Sequence, residues 1–314
     1  MTTHGSTSHS LTVGRTAASV YALLADPTEP VRSSPTVVHI ACLERTATGD
    51  LVQRWVADGD AVRTWTARRE LDPAAGTVAF EHLGPPPPVT SLRGEWRVRT
   101  VGPEECLVEL WHSWEAADDD DGAFAARMER GIPMQLAALK RTAEQGAEAA
   151  ARTVRQEDAL FLDAPVTEVR AFLRDAGAWP RRVPGCRTAE SVHTGPEHQI
   201  VLYETGAAPA ARRAFVHLPD RTAWKQLGEL PPLHTSLRGT FALETDGTGT
   251  RVTAVRTAVL GPVAASGTGR GREELTRHVN KARDEADPAL LDGLARAFGP
   301  AQGAPSASPR SEGA

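Results

Sequence analysis

Lysine is nearly missing from this chain: Lys140, Lys225 and Lys281 are the only three, and arginine supplies the rest of the 35 basic residues. Against 40 acidic residues these leave a net charge of −5, and no basic block is interleaved with aromatics, so nothing points to a nucleic-acid partner. Cysteine is scarce and odd in number, with Cys42, Cys106 and Cys186 far apart, which argues against a disulfide framework. No apolar run reaches the roughly 18 residues of a membrane span. The opening MTTHGSTSHS lacks the apolar core of a secretion signal, so a cytoplasmic location is expected. Also missing are a glycine-rich phosphate loop, a GxSxG elbow, a plausible Cys–His set and any histidine spacing that suits a metal. No cofactor or metal is expected, and nucleotide-dependent and hydrolytic chemistry recede.

What is present is a repetition. Residues 90–94 read TSLRG, and residues 235–239 read TSLRG again. Both copies follow an ARR element, a strand-like aromatic stretch and a proline-rich turn. The spans Arg69 to Gly94 and Arg213 to Gly239 differ by one residue, which pairs Arg213 with Arg69. Upstream, VYALLADPTEPVRSSP (20–35) lies without a gap on VRAFLRDAGAWPRRVP (169–184). Three blocks in one order mark a tandem duplication, and a period of about 150 residues is a domain repeat rather than a solenoid unit. The expected division is 1–150 and 151–298, with a disordered tail over 299–314 rich in Ala, Pro, Ser and Gly.

Each half reads as a strand (SLTVGRT, DALFLDA), a short helix (TAASVYALLAD, PVTEVRAFLRD) and a run of strands with alternating patterning. The first half then closes on a long helix from near Asp121, with Met128, Ile132, Leu136, Leu139 and Ala143 on one face. Gly131 and Pro133 should bend its first turns. The acidic run 118–121 suits a helix start. The second half closes with Leu275, Val279, Ala282 and Ala286 on one stripe before Pro288. The implied fold is α+β: two tandem helix-grip domains, each a curved antiparallel sheet wrapped around a long C-terminal helix with an interior cavity.

Specific segments resemble a known family. RTWTARRELDPAAGTVAF (63–80), VTSLRGEWRV, VELWHSW and LAALKRTAE are similar to strands and the closing helix of aromatase/cyclases of bacterial type II polyketide synthases, members of the START-like superfamily. The resemblance runs to about residue 298 and is more specific over 50–145. It implies a two-domain enzyme that receives a ketoreduced poly-β-ketone on an acyl carrier protein, closes the first ring by aldol chemistry and dehydrates it. Partners implied with it are the carrier protein and the ketosynthase and ketoreductase of the same synthase.

Aldol closure needs a base for a methylene proton, a donor for the enolate oxygen and an acid for the departing hydroxyl. By resemblance Arg69 is the pocket arginine that polarises a ketone; a strand arginine paired with a surface carboxylate is the alternative. Arg68 should point to the opposite face. His112 in LWHSW is the acid/base candidate, against a hydrogen-bonded structural histidine. Trp65 and Trp96 are candidate cavity walls or core, and Gln135 on the closing helix is aligned toward the substrate. Arg93, repeated as Arg238, serves either ligand or fold, with fold the favoured reading. In the second half Arg213, Tyr203 and Trp224 are candidate substrate contacts, with His217 and His234 nearby. The place of His112 falls there near Arg256 or Thr257, which favours an accessory second half. Two family features depart: the Trp-Pro pair after the short helix occurs only as Trp179–Pro180, and a tyrosine of the first cavity is replaced near Pro35 and Thr36. Arg181, Arg182 and Arg187 are solvated surface or a docking patch. Two further readings stay open, a non-catalytic carrier of an apolar polyketide or lipid and a scaffold subunit that protects the reactive chain.

Overall fold

The computed structural model describes residues 2–85, 87–117, 122–205, 210–231, 234–261, 277 and 289–299. The acidic run 118–121, the stripe Leu275, Val279, Ala282 and Ala286 with Pro288, and the tail beyond 299 lie outside them. The chain divides into two compact units, Met1–Gly59 with Arg63–Ala151, and Asp60–Val62 with Arg152–Ala314.

In the N-terminal unit β1 (Thr2–Val13) leads into α1 (Ala17–Ala25) and α2 (Glu29–Ser33). Strands β2 (Val37–Arg45), β3 (Gly49–Asp58), β4 (Ala61–Asp72), β5 (Thr77–Leu83), β6 (Val89–Gly102) and β7 (Glu105–Ala117) follow, then α3 (Ala123–Ala151). The sheet order is β1-β7-β6-β5-β4-β3-β2: a meander whose last strand returns to pair with the first. The C-terminal unit repeats this plan. Its β8 (Thr153–Leu162), α4 (Val166–Arg174) and α5 (Trp179–Arg182) precede β9 (Cys186–Thr194), β10 (His198–Thr205), β11 (Ala211–His217), β12 (Arg221–Leu227), β13 (His234–Asp246) and β14 (Gly249–Leu260). Its order is β8-β14-β13-β12-β11-β10-β9. Each TSLRG therefore lies on the sixth strand of its sheet, and the tandem helix-grip fold is confirmed.

Local chemistry explains the elements. Thr16 caps α1 with its hydroxyl accepting from the Ser19 amide. On β7 the pattern of buried residues alternates, so Cys106, Val108, Leu110, His112, Trp114 and Ala116 form one inward row. In α3, Ile132, Leu136 and Leu139 pack on Val13, Val20, Val98, Val108 and Leu110, closing the helix over the β1–β7–β6 end of the sheet. Phe124, at its start, packs on Trp114 and Leu92. The helix runs through Pro133, at about 44 Å for its 29 residues at ~1.5 Å each. In the C-terminal unit α6 (Ala289–Phe298) takes the corresponding place against β8, α4 and α5.

Strand β1 begins at Thr2, well before its apolar alternation. Every residue from Thr2 to Val13 pairs with β7, from Ala117 down to Cys106, so the ladder and not side-chain pattern sets its length.

Candidate active site

The repeated pentamer has a packing reason. In the N-terminal sheet Phe80 stands opposite Gly94, and Gly94 opposite His112. A Cβ on Gly94 would come within 2.3 Å of Phe80 Cζ and 2.7 Å of the Trp111 carbonyl oxygen. With no side chain there, the Phe80 ring lies across the strand and meets His112 edge to face, centroids 5.3 Å apart. In the C-terminal sheet Trp224 stands opposite Gly239, and Gly239 opposite Arg256. A Cβ on Gly239 would lie 2.7 Å from Trp224 Cε2. Arg256, rather than Thr257, thus holds the place of His112.

From Phe80 a row of rings crosses the N-terminal interior. Phe80 and His82 are 5.8 Å apart, His82 and Trp65 5.3 Å, and the Arg54 guanidinium carbon lies 5.9 Å from the Trp65 ring. Strand parity produces the row: Arg54 shares the inward side of β3 with Val52, and Trp65 that of β4 with Ala67. Among the described residues Arg54 makes no ion pair, and its Nε is buried without a hydrogen-bond partner. His112 is buried, and its Nδ1 has no partner either. Burial, then the neighbouring His9, pushes the His112 pKa down to about 4. Burial, then Arg54 and His112, pushes His82 down to about 3. Burial, then Arg69, lowers Arg54 to about 10, which leaves it charged at neutral pH.

Arg69 is occupied. Its Nε and Nη2 donate to the two oxygens of Asp50 at 2.7 Å each. Its Nη1 donates to the Leu24 carbonyl and Nη2 to that of Ala25, at 2.9 and 3.0 Å, capping the end of α1. The Asp50 side chain is fully buried. The arginine read as the polarising cation is thus the tie between β3, β4 and α1. The alternative weighed for it was a surface carboxylate; the partner is an interior one.

The other predicted residues fall in varied places. Trp65 faces His82 and Arg54, whereas Trp96 packs on the apolar cluster around Ile132 and Leu136. Gln135 is exposed on α3, and Arg68 is exposed while Arg69 is inside. Arg93 pairs with Glu81 on the outer face, 2.9 Å away.

Tyr203, Arg213 and Trp224 do come together. The buried Arg213 guanidinium lies 5.2 Å from the Tyr203 ring and 4.2 Å from that of Trp224, and Nε donates to Gln226 Oε1 at 3.2 Å. Trp179 closes the other side, packing on Tyr203 and Phe215 with Nε1 donating to the Phe172 carbonyl. The fifth-strand register pairs Trp224 with Phe215 and Phe80 with Arg69. Phe215 therefore takes the place of Arg69, and Arg213, two residues earlier, takes that of Ala67. The sequence pairing of Arg213 with Arg69 is corrected accordingly. His217 stacks on Phe215, with its Nδ1 3.1 Å from the Thr222 hydroxyl. Buried apolar residues here form one continuous cluster from Val154 to Leu294. In the N-terminal unit they fall into separate clusters, with Arg54, His82 and His112 among them.

Sequence reasoning missed Arg54, His82 and Tyr21. The first two sit at inward positions of LVQRWVA and TVAFEHL, so alternation was the available signal. Tyr21, on α1, has a buried hydroxyl without a partner and a pKa raised by burial and by Asp72, against an opposing effect of Arg69. No grouping of His, Cys, Asp and Glu suited to a metal occurs among the described residues. None of the described helices is long and apolar enough to cross a membrane.

No protein-family model matches the chain. The crystal structure of the di-domain ARO/CYC BexL from the BE-7585A biosynthetic pathway is similar over 92% of this chain and 97% of that one, at a TM-score of 0.77 and 28% identity. That of the di-domain ARO/CYC StfQ from the steffimycin pathway is similar over 93% and 98%, at 0.77 and 26%. The actinorhodin polyketide synthase bifunctional cyclase/dehydratase of Streptomyces coelicolor is 29% identical over 93% of this chain and 96% of its own length. The granaticin polyketide synthase bifunctional cyclase/dehydratase of Streptomyces virginiae is 30% identical over 242 residues, 73% of this chain and 79% of its own. With its two seven-stranded sheets and this likeness over most of its length, the chain belongs to the bifunctional cyclase/dehydratases of polyketide synthases.

Proposed function

We propose that the N-terminal interior receives a ketoreduced poly-β-ketone tethered to an acyl carrier protein, closes its first ring by an aldol step and dehydrates it to an aromatic. The observation that carries this reading is an unpaired guanidinium and an unpartnered imidazole facing one aromatic-walled interior. Aldol closure takes a proton from a methylene and places charge on a carbonyl oxygen. Neutral His112 accepts the proton, Arg54 stabilises the enolate oxygen, and the alkoxide formed on ring closure takes the proton back from His112 to become the hydroxyl. Trp65 and Phe80 hold the chain where the reacting carbons meet, and Trp96 supports that wall. Gln135 is retained as a contact only at the solvent side of α3. Arg69 becomes a positioning residue that fixes β3 and β4 against α1. The C-terminal unit, its interior packed around Arg213, Tyr203 and Trp224, is accessory. The two units are taken as domains over 1–150 and 151–298, working in the cytoplasm with the synthase and its ketoreductase.

A carrier of apolar ligands gains nothing from an unpaired buried arginine, which opposes its folding. Product analysis of the reconstituted synthase with ketoreductase separates the readings. Wild type is expected to yield the first-ring aromatic, and folded His112→Gln and Arg54→Met to yield unaromatised shunt products. The same aromatic from both variants moves the chemistry out of this interior. No effect of wild type leaves the carrier reading in its place.

A further inference from the structure

We propose that His9, held by Glu129 and Thr7, is the acid of the dehydration step, a role that rests on the N-terminal interior being the site of cyclisation. His9 lies on β1 in the inward set that includes Thr7, Leu11 and Val13. Its Nε2 is 3.1 Å from Glu129 Oε2 and 3.0 Å from the Thr7 hydroxyl, and that hydroxyl donates to Glu129 Oε1 at 2.6 Å. Glu129 belongs to α3, so a carboxylate from the closing helix and a hydroxyl from the strand fix the imidazole from two sides. Thr7 is also the ladder partner of His112. The two histidines thus sit on adjacent strands, and His9 adds to the burial that lowers the His112 pKa.

Their surroundings differ in the way an acid and a base require. His112 is 5% exposed, makes no ion pair among the described residues and is neutral. The His9 side chain is 25% exposed and has the Glu129 carboxylate against its Nε2, and solvent reaches it to exchange a proton. Dehydration of the ring-closed β-hydroxy ketone needs both at once. The α-carbon proton goes to His112, and the C–H electron pair becomes the C=C bond. The C–O bond breaks, and its oxygen takes the His9 proton and leaves as water. His112 then releases the proton it took, His9 recovers one from solvent, and no oxidant or reductant takes part. Glu129 and Thr7 touch no reacting atom and act as positioning residues.

The same contacts would also serve to tie α3 to an edge strand, and the test must separate the two. Glu129→Gln keeps an oxygen to accept from Thr7 and removes only the charge. In the reconstituted synthase, His9→Ala and Glu129→Gln are expected to raise the ratio of ring-closed, still hydroxylated product to aromatic at least 10-fold. Imidazole in the medium should restore the aromatic to His9→Ala alone. Should His9→Ala fail to fold, Glu129→Gln, on a half-exposed helix site, carries the test. A Glu129→Gln protein that yields the wild-type aromatic overturns the proposal. Loss of ring closure itself, in these variants and not only in His112→Gln, overturns it too. A wild type that closes no ring overturns the underlying reading instead.

Discussion

Arg69 grips Asp50 with a two-point fork, Nε to Oδ1 and Nη2 to Oδ2, both 2.7 Å, inside the N-terminal sheet. The carboxylate side chain is wholly removed from water, with that guanidinium as its ion-pair partner. Losing one partner leaves a buried charge uncompensated, a cost of roughly 3–5 kcal/mol, with the two uncapped α1 carbonyls in addition. Arg69→Met and Asp50→Leu should each lower the unfolding free energy by that order. The double variant should be clearly less destabilised than the sum of the two, because no orphaned charge remains. Additive losses in denaturant unfolding would falsify the pairing.

Acid should destabilise the protein before its carboxylates titrate. His82 and His217 are held at about 3 and His112 at about 4, chiefly by burial, against an ordinary value near ~6.5. Between those values the unfolded chain binds protons that the folded chain refuses, so stability rises with pH across the window and is lost as pH falls through it. Above pH ~7 both states are neutral at these sites and the effect vanishes. The melting temperature should hold steady from pH 8 to about 7 and fall from about 6.5 to 4.5. His112→Gln should make that decline shallower. A midpoint independent of pH down to 5 would show that these imidazoles are not held neutral.

Much of this was legible in the sequence, and what was not has a physical reason. The strands and short helices follow from alternation and from turn residues, and TSLRG announced the duplication because a ring must cross its glycine in both sheets. His112 is singled out by the resemblance of VELWHSW to a pocket-histidine strand, and the structure places it on the buried row of β7. Arg69 reads from the sequence as a cation facing a ketone, with a surface carboxylate as the alternative, and its buried partner Asp50 was not legible. Parity states which face a side chain takes, and the buried carboxylate on the neighbouring strand is a tertiary fact. Arg54 was passed over because one arginine in LVQRWVA resembles any solvated strand arginine until the sheet closes around it. Arg213 was misaligned because the doubled arginine slid by two positions, a shift only the ladder reveals. The early start of β1, which places His9, carries no apolar signal at all.

Arg54 offers the sharpest separation of fold from function. It contributes no ion pair among the described residues, and its pKa is lowered mainly by burial and further by Arg69 nearby, so the folded state bears a strained charge. An apolar side chain of similar length removes that strain and packs against Trp65, Val52 and Val56. Arg54→Met should therefore leave stability within about 1 kcal/mol of wild type or above it, as replacement of poorly compensated buried charge commonly does. The same change removes the donor for the enolate oxygen, so aromatic product should fall by roughly 100-fold, the typical loss of one such electrostatic contact. Arg69→Met should show the reverse order, with a large loss of stability first and any loss of product following from it. Unfolding midpoints and product yields for the two variants, measured side by side, test both assignments. If Arg54→Met unfolds easily while Arg69→Met stays folded and inactive, the two arginines exchange roles and the interior must be read again from Arg69.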